Sequence, residues 1–405
     1  MSDLDVDLLV VGAGPAGVAA GITARDRGLD VLVIDKAGFG RDKTCGDGLT
    51  AAALRTLEAL GLPIGDLDPA LAPVDTAVLV SPSGRRVVLP LPTGAGHHSV
   101  VVPRAELDAA LVALAQRRDV DVREHTALVG LKEEPDHTGI VAELGDGGVV
   151  RARRVVAADG TYSPTRKLLR PEVAPALGEW SAFRQYFRGV DDPKLWVLFE
   201  QDLLPGYAWV FPLPDGRANV GFGILRGPGV DGKWIKAAWR DLLTRASMRS
   251  VLGPNAEPEA NHRAWPIPTA YDPDRLVDGR VLFAGDAASV VDPLTGEGIA
   301  QALETGVLAA EAAAAGGDVG ARYRSSVHRS LGRDLRFAGA LQRVLSHPIG
   351  ARAAIRAADL TPWTRRNFAR WMFEDYPRAL LFTPDRWKRG VFTAPGAYRD
   401  SSRSG

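Results

Sequence analysis

The chain has 405 residues, 46% hydrophobic and 24% charged, and its 49 Lys plus Arg balance 49 Asp plus Glu. That length suits two or three substructures, and the zero net charge excludes a global field for gripping nucleic acid. A single cysteine excludes an intrachain disulfide framework and a cysteine-based zinc site, which fits a reducing compartment.

The opening stretch MSDLDVDLLVVGAG is acidic and runs straight into a strand, without the basic leader and cleavage site of a signal peptide. No window holds about eighteen uninterrupted apolar residues, so no membrane span is expected and the cytoplasm is the expected location. Residues 6–11 (VDLLVV) predict a buried strand and 31–34 (VLVI) a parallel partner, with a helix over Pro15–Arg27 between them. Helices are expected at 51–60 and at 104–117, where leucines recur on one face of RAELDAALVALAQR. Short strands are expected at 120–124, 126–132, 139–144 and 148–157, the last two joined by a turn at Asp146 and Gly147.

Residues 176–265 have a different texture, with alternating, aromatic-rich strands at 207–212 (YAWVFP) and 217–223 (RANVGFG) around a turn at 214–216. They predict an antiparallel sheet, interrupted by a helix near 232–246, that forms the floor of a substrate chamber. The strand VLFAGD at 281–286 returns to the parallel texture, and an alanine-rich helix runs from Glu297 to Ala315. Beyond 320 the pattern is helical and basic, with 17 Lys plus Arg against 6 Asp plus Glu from Ala321 to Gly405. Arginines there alternate with Trp363, Phe368, Trp371, Phe373, Tyr376, Phe382 and Trp387. That mixture suits either a membrane-surface helix or helices that cover the substrate sheet. No nucleic-acid partner is expected, and only the last ten residues read as irregular.

GAGPAG at 12–17 sets Gly12, Gly14 and Gly17 at the GxGxxG spacing. Gly12 permits a tight turn, Gly14 lets the backbone approach a pyrophosphate, and Gly17 lets helix and strand pack closely. The helix start offers unpaired N–H groups to phosphate, and Asp35 ends the second strand where a carboxylate suits ribose hydroxyls. Two later stretches select FAD over NAD. AADGTYSPTR puts Asp159 and Gly160 at a strand end, and GDAASVVDPLTGEGI puts Asp286 after another strand, then Gly296 and Gly298 ahead of a helix. Asp286 suits a ribityl hydroxyl, and the helix start suits the negative charge of a reduced flavin ring.

These three stretches resemble the FAD-binding signature of the flavoprotein hydroxylase-type fold. Within it, RDKTCGDGLT, LPGYAWVFPL and DPLTGEGI resemble the geranylgeranyl reductase family, including its menaquinone-reductase branch, over about residues 5–315. The resemblance implies a discontinuous Rossmann-type FAD-binding α/β domain with an inserted mixed α+β substrate domain and a helical C-terminal segment. The boundaries follow as FAD-binding 1–75, 101–175 and 266–318, substrate strands 76–100, substrate domain 176–265, and basic helices 319–405. It places Gly12, Gly14, Ala16, Gly17, Asp35 and Lys36 on the adenosine side, Arg104 near the phosphates and Asp286 on the ribityl chain. Asp159 and Gly160 match a DG motif that serves the flavin, and Gly296, Gly298 and Ile299 would meet the flavin's pyrimidine edge.

Cys45 and Gly46 would lie beside the flavin ring, where the thiol gates flavin reduction or assists proton delivery, or else is a small buried hydrophobe. A neighbouring Lys43 would lower its pKa. Tyr207, Trp209 and Phe211 project to one face of their strand, and with Pro293 would line the chamber, unless they serve only as core. Leu213 and Asp292 stand where relatives carry lysine and asparagine. His97 and His98 lie on a loop with no third ligand, so no metal is expected. With no second GxGxxG, electrons come from NAD(P)H docking transiently or from a ferredoxin-like protein. The implied activity is reduction of carbon–carbon double bonds in an isoprenoid or similar apolar substrate. The alternatives are a monooxygenase, halogenase or dehydrogenase of secondary metabolism, or a flavoprotein without turnover. GYAWVFP lacks the second tryptophan of the halogenase signature WxWxIP.

Overall fold

The computed structural model describes residues 4–91, 97–134, 138–172 and 178–387. The last ten residues, expected to be irregular, lie outside the described residues.

One sheet runs in the order Val277–Asp278, Val281–Phe283, Val149–Ala157, Leu4–Val11, Val31–Ile34, Asp121–Arg123. Its strands are apolar on both faces, with Leu8, Leu9, Val33, Val155 and Leu282 fully buried, as a covered parallel sheet requires. Val11 registers with Ile34 and Ala157, and Ala157 with Phe283. The chain segments carrying Gly12, Asp35, Asp159 and Asp286 therefore all leave one edge of the sheet together, where open α/β sheets bind ligands. Ile140–Leu144 and Leu128–Glu133 extend the sheet as an antiparallel pair. The latter begins two residues later than the expected 126, because Thr126 is drawn away by its N–H to the Asp35 carbonyl at 2.8 Å.

Helix Pro15–Asp26 crosses helix Ile299–Ala315 on this sheet. Gly306 makes the crossing close: a Cβ there would lie 2.1 Å from the Ala16 carbonyl oxygen. The second helix starts at Ile299 and not Glu297, because Gly298 with φ −147 and ψ −9 is its non-helical cap. Likewise VLFAGD stays extended only to Phe283, and a short 3-10 turn, Gly285–Ala288, follows.

The second sheet runs Glu257–Pro258, Trp180–Arg188, Arg217–Leu225, Tyr207–Leu213, Leu195–Leu198, Thr76–Val80, Arg86–Pro90, with Arg263–Ile267 also on Trp180–Arg188. It is antiparallel except where Leu195–Leu198 meets Thr76–Val80. Its strand alternation divides two cores. Val210, Phe222 and Val220 face Trp239 and Met248 on one side, whereas Trp209, Phe211 and Leu79 share the other with Ile355, Ala369 and Phe373. The helix expected near 232–246 is two, Gly232–Thr244 and Ala246–Leu252. Arg245 breaks it with extended backbone at ψ 140, while its guanidinium joins Asp202, Asp241 and Glu200.

The C-terminal segment forms helices Val319–Val327, Arg333–Leu345, Pro348–Ala358 and Pro362–Met372. The last two open with proline at their first position, and Thr361 with Thr364 closes a capping box on the last. Part of its positive charge is spent internally, as Arg370 pairs with Asp375 at 2.8 Å and Arg378 with Asp292 at 2.6 Å, all four buried. No helix among the described residues is long and apolar enough to cross a membrane.

Candidate flavin site

The glycine turn leaves no room for side chains. Gly12 has φ +102, and a Cβ there would lie 2.4 Å from the Ala158 carbonyl oxygen; one at Gly17 would lie 1.7 Å from the Gly12 oxygen. Around Gly14, by contrast, nothing lies within 4 Å, so this glycine borders open space. Asp35 is fixed by accepting from Ala13 N–H and Ala37 N–H, each at 2.9 Å, with Arg41 at 3.2 Å.

A cavity starts at Gly12, Gly14, Ala16, Asp35 and Lys36 and continues to Lys43, Arg104, Asp159, Gly160 and Asp286. Gly17 does not line it; its role is the close helix packing just described. Asp159 lines the cavity; its Oδ2 accepts from Thr165 N–H at 2.8 Å, and its Oδ1 is buried without a hydrogen-bond partner. Burial raises the Asp286 carboxyl, but Lys43 at 3.2 Å, Arg104 and Thr161 outweigh that and hold it below the usual range.

A second cavity adjoins, lined by Cys45, Gly46, Trp209, Gly296, Gly298 and Ile299 among others, with Lys43, Arg104 and Asp286 lining both. Its loop is clamped from the second sheet. Asp47, fully buried at φ 65, accepts from Tyr186 Oη at 2.7 Å and Asn219 Nδ2 at 2.7 Å. Asn219 Nδ2 also reaches the Cys45 carbonyl at 2.8 Å, its Oδ1 accepts from Trp209 Nε1 at 2.9 Å, and Arg184 grips the Asp42 carboxylate. Burial pushes Asp47 up to about 6 despite the Tyr186 and Arg184 contacts.

Cys45 does not have the acidic thiol expected beside Lys43. Burial raises it beyond what Arg104 offsets, and Lys43 is committed to Asp286 instead. Arg104, buried and bidentate to Asp108 at 2.9 and 2.8 Å, is no surface charge. Pro293 is the one expected chamber residue that lines neither the flavin-facing cavity nor the apolar one beyond it; it is buried toward Gly339 of helix Arg333–Leu345, and Leu294 and Thr295 take its place. His98 lies on a loop but is buried, its Nε2 3.8 Å from Asp375 Oδ2.

Asn219→Ala should cost about 1–3 kcal/mol, the penalty for leaving buried polar groups unpaired, here the Cys45 carbonyl and the Trp209 indole N–H, while Asp47 Oδ2 keeps Tyr186. Urea unfolding of the variant checks this; an unchanged midpoint would mean that the clamp holds no strain-bearing contact.

The glycine turn that excludes a Cβ, the carboxylates at the sheet edge and the buried, unpartnered Asp159 oxygen together fit FAD. A family model described as an FAD binding domain matches residues 5–315. A menaquinone reductase of Mycolicibacterium smegmatis is 32% identical over 370 residues, covering 87% of this chain and 89% of its own length. Digeranylgeranylglycerophospholipid reductase 1 of Methanopyrus kandleri is 34% identical over 319 residues, 76% of this chain and 80% of its own.

The chain belongs to the geranylgeranyl reductase family of FAD-dependent oxidoreductases.

The fold agrees. A geranylgeranyl bacteriochlorophyll reductase-like protein of Thermoplasma acidophilum superposes with TM-score 0.77 at 22% identity over 95% of this chain and all of that one. A flavin-dependent brominase shares the fold at TM-score 0.73, 23% identity and 95% and 96% coverage. In this geranylgeranyl reductase-family chain, four residues of the site had no prior signal in the sequence: Asp47, Asn219, Glu297 and Arg378. Asp47 stands inside RDKTCGDGLT and Glu297 inside DPLTGEGI, but neither residue is marked out by its motif.

Proposed function

We propose that this oxidoreductase reduces carbon–carbon double bonds in an isoprenoid or similar apolar substrate. One observation carries the reading: an almost wholly apolar chamber, walled by Leu79, Leu195 and Val197 on the sheet and Phe368, Trp371 and Met372 on helix Pro362–Met372, adjoins the flavin-facing cavity. Gly48, Tyr207, Phe211, Leu294, Thr295 and Glu297 border both spaces. Such walls hold a chain by excluding water rather than by hydrogen bonds, so the position of the flavin sets which bond reacts. Bound FAD would supply the two-electron chemistry, as a hydride donor when reduced.

On this reading the first sheet, with its helices, is the discontinuous FAD-binding unit, and the second is the inserted substrate unit. Gly12, Gly14, Ala16, Asp35 and Lys36 hold the adenosine end, Arg104, Asp159, Gly160 and Asp286 the phosphates and ribityl chain, and Cys45, Gly46, Gly296, Gly298 and Ile299 the ring. Tyr207 donates its hydroxyl to the Thr295 carbonyl, which fixes its ring, with Phe211, as a partition between the spaces. Exposed Ile349, Leu360 and Leu381 on the basic cap supply a surface for a membrane holding such substrates. NAD(P)H or a ferredoxin-like protein supplies electrons.

Anaerobic reduction followed by mixing tests the reading. Reoxidation by an isoprenoid alkene, with a saturated product two hydrogens heavier, is the expected result. Rapid reoxidation by oxygen with hydroxylated or halogenated product, and none by alkene, would replace it with an oxygenase reading.

A further inference from the structure

We infer that Glu297 hands the proton to the substrate as its double bond is reduced, an assignment that rests on the alkene-reductase reading. Glu297 stands at the seam where the apolar chamber meets the flavin-facing cavity, and its Oε1 lies 3.8 Å from where a Cβ at Gly48 would project. Two other residues bordering both spaces carry hydroxyls. The Tyr207 proton is engaged by the Thr295 carbonyl, and Thr295 Oγ1 accepts from Arg378 at 3.3 Å and is an ordinary alcohol. Cys45 borders the flavin-facing cavity only, and its sulfur accepts from Asp47 N–H at 3.3 Å.

The surroundings keep a proton on this carboxyl. Burial, and then the neighbouring Glu374, push it up to about 8, with Asp292 adding to them and Arg378 opposing. Cys45 and Tyr207 face it as well, both protonated at neutral pH because burial raises them. Glu374 is held as an acceptor by Thr50 Oγ1 at 2.6 Å and Gln301 Nε2 at 2.8 Å and borders a separate polar cavity with Asp375 and Arg386. Glu297 thus borders the apolar chamber, while its neighbour Glu374 borders the polar cavity.

The step balances. The substrate π bond breaks, one carbon gains hydride from reduced flavin as the two-electron donor, and the other gains the Glu297 proton. The O–H bond breaks, leaving a carboxylate that solvent reprotonates.

Single-turnover reduction of an isoprenoid alkene by the reduced holoenzyme tests this. The rate should fall as pH rises through about 8, since a donor must carry its proton. Glu297→Gln should lower the rate by about 100- to 10,000-fold and erase that limb. Cys45→Ser should keep the limb, and Glu374→Gln, by removing a like charge, should move it to lower pH.

A second readout needs no turnover. Because the folded value lies above the ordinary 4.5, the folded chain binds this proton more tightly than the unfolded one, so its stability falls as pH rises from 4.5 to about 8. Glu297→Gln lacks that loss, so the melting temperature of the wild type minus that of the variant should decline across the window. A difference flat in pH overturns the assignment, as does an unchanged rate or limb in Glu297→Gln while the wild type still reduces alkene, which leaves the reductase reading standing. A wild type that reduces no alkene overturns that reading itself.

Discussion

Replacing Arg378 with alanine should destabilise the chain by about 3–5 kcal/mol, the cost of stripping one partner from a buried ion pair. Arg378 is 4% and Asp292 1% exposed, and Nε meets Oδ2 at 2.6 Å. The same guanidinium donates to the Trp371 and Met372 carbonyls at 2.5 and 3.1 Å and to Thr295 Oγ1 at 3.3 Å. Asp292 Oδ1 in turn accepts from Leu294 N–H at 2.7 Å, so one pair ties the C-terminal helices to the loop that carries Gly296 and Gly298. The variant should therefore lose stability in urea and FAD together. Asp292→Asn keeps the Oδ1 acceptor and should cost less than Arg378→Ala. A loss under about 1 kcal/mol would show that water reaches the pair, as at surface ion pairs.

The second large effect separates two glycines only three residues apart. Gly17→Ala sets a Cβ 1.7 Å from the Gly12 carbonyl oxygen, backbone against backbone. Overpacking costs about 1–3 kcal/mol even where side chains can yield, and here the turn itself must move. Purified Gly17→Ala should be colourless and poorly folded. Gly14→Ala meets nothing within 4 Å and should melt with the wild-type apoprotein. Its FAD affinity should nonetheless fall by about 100-fold, equivalent to about 2.7 kcal/mol, because the added methyl occupies space reserved for pyrophosphate. Titration of protein fluorescence with FAD reads both. If Gly14→Ala binds as tightly as wild type, the pyrophosphate does not approach that residue.

The parallel strands and the carboxylates at their ends were legible because each is a local signal: an apolar run, a glycine, an acidic residue. Their convergence follows from register alone. What was not legible depends on partners far along the chain. Lys43 looked like an activator of Cys45, but its partner Asp286 is 243 residues away. Asp47 carries no signal of its own in RDKTCGDGLT, because the donors that hold it, Tyr186 and Asn219, are 139 and 172 residues away. The departure of Asp292 from asparagine was visible and unexplained; Arg378, in a segment with no motif, supplies its reason. Pro293 was misplaced because a motif fixes the order of residues but not which side of a loop each one faces.

Phe368, Trp371 and Met372 wall the apolar chamber, yet they come from helix Pro362–Met372, beyond residue 315, where the match to the FAD binding domain model stops. Two halves of one enzyme can then diverge at different speeds. Exchanging these three side chains for smaller or larger ones would widen or narrow the chamber and, on the alkene-reductase reading, retune which apolar substrates it admits while the residues of the flavin site stay as they are.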